Sequence, residues 1–307
     1  MLTTVVGSYP PYPRGPTSLI EKIQDIFGMY DKYKPAIELA VVDQIKAGID
    51  IISDGQVRGN MIEIFAKKIP GMDFVNGSAI VYGKILPPKN PITVEDVKFA
   101  IKLKNKIKKN VKVKGIITGP CTLAYSSKIE GFYKSKENLM FDIAEALKVE
   151  AKFLEKLDIA MIQIDEPILS TGIVNIKTAK KVIETITDEV SIPISLHVCG
   201  SIVDIFEKLL EFNVDIIDCE FAGTKENLNI LEDVDLKGKK IGFGCVNTKT
   251  NKVESVEEIK KRILKGIELI GKENMVIDPD CGLRNLKRES AFNKLKNMVR
   301  AAHAISN

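Results

Sequence analysis

The chain has 307 residues, 45% apolar and 28% charged, with 45 Lys and Arg against 41 Asp and Glu. This is the composition of a globular chain, not a disordered one, and an evenly spread formal charge of +4 makes no case for nucleic acid. No run approaches the roughly 18 consecutive apolar residues of a membrane span, and Met1-Leu2-Thr3-Thr4-Val5-Val6-Gly7 carries no basic segment of an export signal. A cytoplasmic protein with no nucleic-acid or membrane partner is expected. Its five cysteines are too few for a disulfide framework, which leaves buried hydrophobes or ligands.

In chain order, a β-branched run at 3–8 comes first. Pro35 then opens a helix at its first turn, where a missing N–H costs little, with Ile37, Val41, Ile45 and Gly48 on one face. A second run follows at 49–54. The segment 72–86 breaks the rhythm, and Asn76-Gly77 between Phe74-Val75 and Ala79-Ile80-Val81 predicts a hairpin excursion. Seven lysines between Lys102 and Lys114 read as a solvated helix face. Further runs at 113–119, 160–165, 192–199, 214–220, 240–246 and 274–278 are separated by helical patterns. One carries Met140, Ile143, Ala144, Leu147, Ala151 and Leu154 as a stripe; another begins with the capping box Ser255-Val256-Glu257-Glu258. Eight runs alternating with helices predict an α/β fold, a (βα)8 TIM barrel formed as one domain over 1–307. An open doubly wound sheet fits less well, because no Gly-x-Gly-x-x-Gly turn follows the first run.

The run ending Ser195-Leu196-His197-Val198-Cys199-Gly200 carries the strongest chemical signal. Residues i and i+2 of a strand point the same way, so His197 and Cys199 face together at the C-terminal mouth, where barrel active sites lie. An imidazole beside a thiolate suits zinc. In 214–220, Asp218 and Glu220 share a face and Cys219 points away. Asp278-Pro279-Asp280-Cys281-Gly282 places a thiol in a polar turn after the last run, and Cys245 competes with it as a ligand. Periodicity does not choose between Cys245 and Cys281. Asp278 and Asp280 could orient ligands from behind.

His197-Val198-Cys199-Gly200, Asp218-Cys219-Glu220 and the 274–283 segment together resemble the zinc site of cobalamin-independent methionine synthase. Val6-Gly7-Ser8-Tyr9-Pro10, Thr118-Gly119-Pro120 with Thr122, Gln163-Ile164-Asp165-Glu166-Pro167 and Asn297-Met298-Val299-Arg300-Ala301-Ala302 match other parts of that family, in order. The likeness covers the C-terminal catalytic barrel only, as in short archaeal homologues. It implies one zinc ion held by His197, Cys199, Glu220 and Cys281, with Cys245 outside the set. It also implies L-homocysteine as substrate and methyl transfer to its thiolate to give L-methionine. Gly7 and Ser8 would receive the amino-acid carboxylate and Asp165 the ammonium; Gln56 stands where the family usually has Glu. Glu220 would be the ligand that yields to the substrate sulfur.

Two departures bear on the methyl donor. Folate-using members have a Trp platform after the Gly-Pro-x-Thr turn, and this chain has no Trp. The family's proton-assisting Asp and His fall on Asn247 and Lys249. A donor that leaves without a proton, such as methylcobalamin or a methylated corrinoid protein, is therefore expected. The alternatives are a corrinoid-linked methyltransferase acting on another thiol such as coenzyme M, and a non-catalytic zinc-binding barrel.

Overall fold

The computed structural model describes residues 1–306. Its strands are β1 (Ile51–Ile52), β2 (Met72–Val75), β3 (Ser78–Val81), β4 (Lys112–Thr118), β5 (Ser127–Ile129), β6 (Met161–Asp165), β7 (Ile194–Val198), β8 (Ile216–Glu220), β9 (Lys240–Gly244) and β10 (Met275–Asp278). Seven of them form one parallel sheet in the order β1-β4-β6-β7-β8-β9-β10. The predicted first run, 3–8, contributes only two bridges, Thr3 to Ile277 and Thr4 to Ile51. Those bridges lie on the two sheet edges, so this stretch occupies the eighth place and brings the edges together. The fold is the predicted TIM barrel. The first run is short because the chain leaves the ladder after Thr4; Gln163 and Ser53 then take the carbonyls of Val6 and Gly7 as side-chain hydrogen bonds.

Inside the barrel, Ile51, Met161, Ile216 and Val276 pack as a separate apolar cluster. They come from alternate strands, the pattern of one interior layer, and they close the floor. Two residues further along β6, β8 and β10 the interior turns polar, with Gln163, Asp218 and Asp278, all buried. Polar groups thus accumulate toward the C-terminal mouth.

The outer helices follow the predicted stripes. Lys34–Ala47 has Pro35 in its first turn and stops at Gly48, whose φ of 94° favours glycine. Met140, Ile143, Ala144, Leu147, Ala151 and Leu154 of Lys136–Glu155 are all buried. Ser255 and Glu258 form the capping box of Val256–Ile270. The excursion is an antiparallel hairpin with Asn76 and Gly77 both at positive φ, and β5 adds a third strand to it. One expectation needs correction. Of the seven lysines, Lys104 and Lys114 are buried, and Lys114 lies within β4. An amphipathic capped helix, Leu19–Ile26, was not predicted; it buries none of its residues.

Candidate metal centre

His197 is the penultimate residue of β7 and Cys199 stands just beyond the strand, both on the interior side. Gly200, at φ 93°, turns the chain away there. Cys281 arrives from the turn after β10. That turn lies directly against the first run: Leu283 N–H donates to Ser8 O at 2.7 Å, and a Cβ on Gly282 would sit 2.1 Å from Ser8 Oγ. A side chain at 282 would therefore displace the Ser8 hydroxyl.

The ligating atoms of His197, Cys199 and Cys281 all lie within 4.8 Å of one another. The neighbouring Cys281 thiol lowers the Cys199 pKa, and Cys199 together with burial raises that of Cys281. One thiolate is therefore stabilised by its neighbour's S–H. His197 Nδ1 is 3.1 Å from Asp218 Oδ1, but neither ring nitrogen has an aligned hydrogen-bond partner. Burial opposes the imidazolium, and the Asp218 carboxylate outweighs it and raises the His197 pKa. A buried imidazole nitrogen without a partner is costly. With Asp218 beside Nδ1, Nε2 is left to the thiols. One nitrogen and two sulfur donors, with Asp218 behind the imidazole, fit a borderline-soft cation such as zinc.

Glu220 ends β8 as predicted and is buried, but it is not part of that triangle. Its Oε2 accepts from Thr224 Oγ1 at 2.7 Å and from Lys249 Nζ at 2.8 Å. Glu220 raises the Lys249 pKa, so this ammonium is held in an ion pair and is not poised as an acid near neutral pH. Asn247 Oδ1 accepts from Lys249 N–H. Asp280 accepts backbone N–H bonds from Phe221, Ala222 and Gly223, which ties the turn of Cys281 to the turn after Glu220. Cys219 and Cys245 are buried in the hydrophobic core, away from the triangle.

The triangle opens into a cleft of about 300 Å³ whose wall includes Ser8, Gln56 and Asp165. Asp165 pairs in register with His197 across the β6–β7 ladder and accepts from Gln163 Nε2 at 2.6 Å. Burial raises the Asp165 pKa, opposed by His197, Gln163 and Lys114. Gly7 lies behind this wall, so close to Gln56 that a Cβ would meet Gln56 Oε1 at 2.9 Å. Arg284, three residues after Cys281, also lines the cleft and donates to Gln56 O at 3.1 Å. Its position was missed from sequence; its short spacing from Cys281 was the available signal.

Fold and site define a TIM barrel with a thiol-rich, metal-type centre at its C-terminal mouth. Residues 1–304 match the family described as cobalamin-independent synthase, catalytic domain. The methionine synthase of Methanothermobacter thermautotrophicus is 51% identical over 306 residues, covering 98% of this chain and 99% of that one. That of Methanocaldococcus jannaschii is 51% identical over 316 residues, covering 99% of each. The structure of a B12-independent methionine synthase from Shewanella sp. W3-18-1, in complex with selenomethionine, superposes with a TM-score of 0.83 at 24% identity, covering 99% and 97% of the two chains. The chain belongs to the cobalamin-independent methionine synthase family.

Proposed function

We propose that the whole chain acts as one catalytic barrel that methylates L-homocysteine on sulfur, with one zinc ion held by His197, Cys199 and Cys281 and with Glu220 as a labile fourth ligand. The observation that carries this reading is the convergence of one imidazole and two thiols within 4.8 Å at a cleft also walled by Ser8 and Asp165. Free homocysteine thiol has a pKa near ~8.5, and zinc, when bound, would supply the acidity that makes it a thiolate at neutral pH. Asp218 holds the His197 imidazole in place. Lys249 and Thr224 hold the Glu220 carboxylate when it is off the metal.

The amino-acid end of the substrate is assigned to the other wall. Asp165 takes the ammonium, Gly7 and Ser8 take the carboxylate, and Gln56 adds a neutral acceptor. Fixing that end sets the sulfur at one distance from the donor's methyl group, and proximity then supplies much of the rate. The donor is assigned as a methylcorrinoid. The family's description as a cobalamin-independent synthase stands against a corrinoid donor, but the absent Trp and the engaged Lys249 leave a departing folate without a platform or an acid.

Two variants and one substrate panel test this. Cys281→Ser and His197→Ala should each lose zinc and reduce transfer at least ~100-fold while circular dichroism stays that of a folded barrel. Full activity in metal-depleted Cys281→Ser protein would remove the assignment. Zinc-loaded wild-type protein with homocysteine should use methylcobalamin in preference to methyltetrahydrofolate; the reverse preference would overturn the donor.

A further inference from the structure

Lys114 is the only ammonium among the described residues that β4 delivers into the barrel interior, and it is 1% exposed. The sole hydrogen bond from its Nζ goes to Gln163 Oε1 at 2.5 Å. Gln163, fully buried, donates through Nε2 to Val6 O and to Asp165 Oδ1, each at 2.6 Å. The sense of this amide follows from chemistry alone. An ammonium can only donate, while a peptide carbonyl and a carboxylate oxygen can only accept. Only one orientation of the amide, oxygen toward Lys114 and both N–H groups toward Val6 and Asp165, satisfies all three neighbours.

The two acceptors lie on opposite halves of one recognition site. Val6 immediately precedes Gly7 and Ser8, and its bond to Gln163 ties the end of the first run to β6. Asp165 is two residues from Gln163 on the same side of β6. A single side chain thus spans the gap between the two halves, and a buried cation fixes its direction. Burial lowers the Lys114 pKa, and the neighbouring Asp218, Asp278 and Asp165 oppose that shift.

We propose that Lys114 and Gln163 are positioning residues for the amino-acid end of homocysteine: the ammonium sets the amide, and the amide holds Gly7-Ser8 and Asp165 at one separation. This rests on the reading of Gly7, Ser8 and Asp165 as the amino-acid site. Neither residue touches the sulfur, so binding of a thiol lacking the ammonium and carboxylate is independent of the pair.

The experiment is titration calorimetry of zinc-loaded protein with L-homocysteine and, separately, with 1-propanethiol. Gln163→Leu and Lys114→Met should each raise the homocysteine Kd by at least about tenfold, as loss of a hydrogen bond to a charged group does. The 1-propanethiol Kd should stay within about twofold, because a damaged metal centre or a loosened fold would weaken both thiols together. Gln163→Asn keeps the polarity but shortens the reach, and serves if the larger changes prevent folding; the same selectivity change, smaller in size, is expected. Parallel weakening of both thiols, or an unchanged homocysteine Kd, overturns the proposal. Asp165→Asn separates this from the reading beneath it. If Asp165→Asn weakens homocysteine and Gln163→Leu does not, the positioning role falls and the site stands. If Asp165→Asn has no effect, or wild-type protein binds no homocysteine, both fall.

Discussion

Glu220 shows how two residues 29 positions apart can share one function. Its side chain is nearly buried and faces the mouth, but Lys249 and Thr224 occupy its Oε2. Removing the ammonium takes away a competing cation and a nearby positive charge, and both effects favour metal. We expect Lys249→Met to tighten zinc by roughly threefold to tenfold, a modest change because the lysine end of the pair is solvent-screened. Competition with a chromophoric chelator measures it; unchanged or weaker affinity would show that Lys249 does not compete for the carboxylate. The sequence made part of this visible. His197 and Cys199 were legible because strand alternation puts i and i+2 on one side, and Cys281 stood out as a thiol in a polar turn. Lys249 beside Glu220 was not legible, since a loop after β9 brings the lysine to the end of β8 and no periodicity records that. Lys114 was misread as part of a helix face, although it shares parity with Ile116 and Thr118 along β4, a period-2 signal for an inward position.

At the scale of elements, the strands and helices were legible where a face is buried and capped, and less so where pairing is brief. The stripe of Lys136–Glu155 and the box at Ser255 fixed their helices locally. The first run had strand composition but forms only two bridges, because side chains from other strands take its later carbonyls. The turns at the mouth depend on a similar device. Asp280 is fully buried and receives three backbone N–H groups from the turn after β8, so it joins two loops that carry separate site residues. Asp280→Ala leaves Gly223 N–H without a partner and leaves Phe221 and Ala222 N–H with Gly244 O alone, and should lower stability by roughly 1–3 kcal/mol. Denaturant unfolding of the metal-free protein reads this directly. A loss below about 1 kcal/mol would mean that the turn finds other acceptors or water.

The molecule as a whole buries carboxyl groups on more than one side of the barrel, and this gives its stability a pH dependence opposite to ordinary acid denaturation. Burial, with Asp96 adding to it, pushes Asp54 up to about 7 against the opposing pull of Gln56 N–H and Arg58. Burial likewise raises Glu166 to about 7, although Thr122 and Cys121 donate to it. Both folded values exceed the unfolded ones near ~4. Such groups stabilise the fold fully in acid, below the unfolded pKa, and that contribution is lost as pH rises through the folded pKa. Carboxylates with lowered values, Glu155 and Glu258 among them, act in the other direction, but only as pH falls below about 4.5, outside this window. The midpoint of thermal unfolding of the metal-free protein should therefore decline from about pH 5 to about pH 8. Asp54→Asn, which cannot ionise, should flatten the decline. Asp54 lies away from the thiol triangle, so the comparison is free of metal-site titration. A midpoint that rises over that interval, or an Asp54→Asn profile parallel to wild type, would show that Asp54 is ionised throughout and that Arg58 stabilises its charge more than burial opposes it.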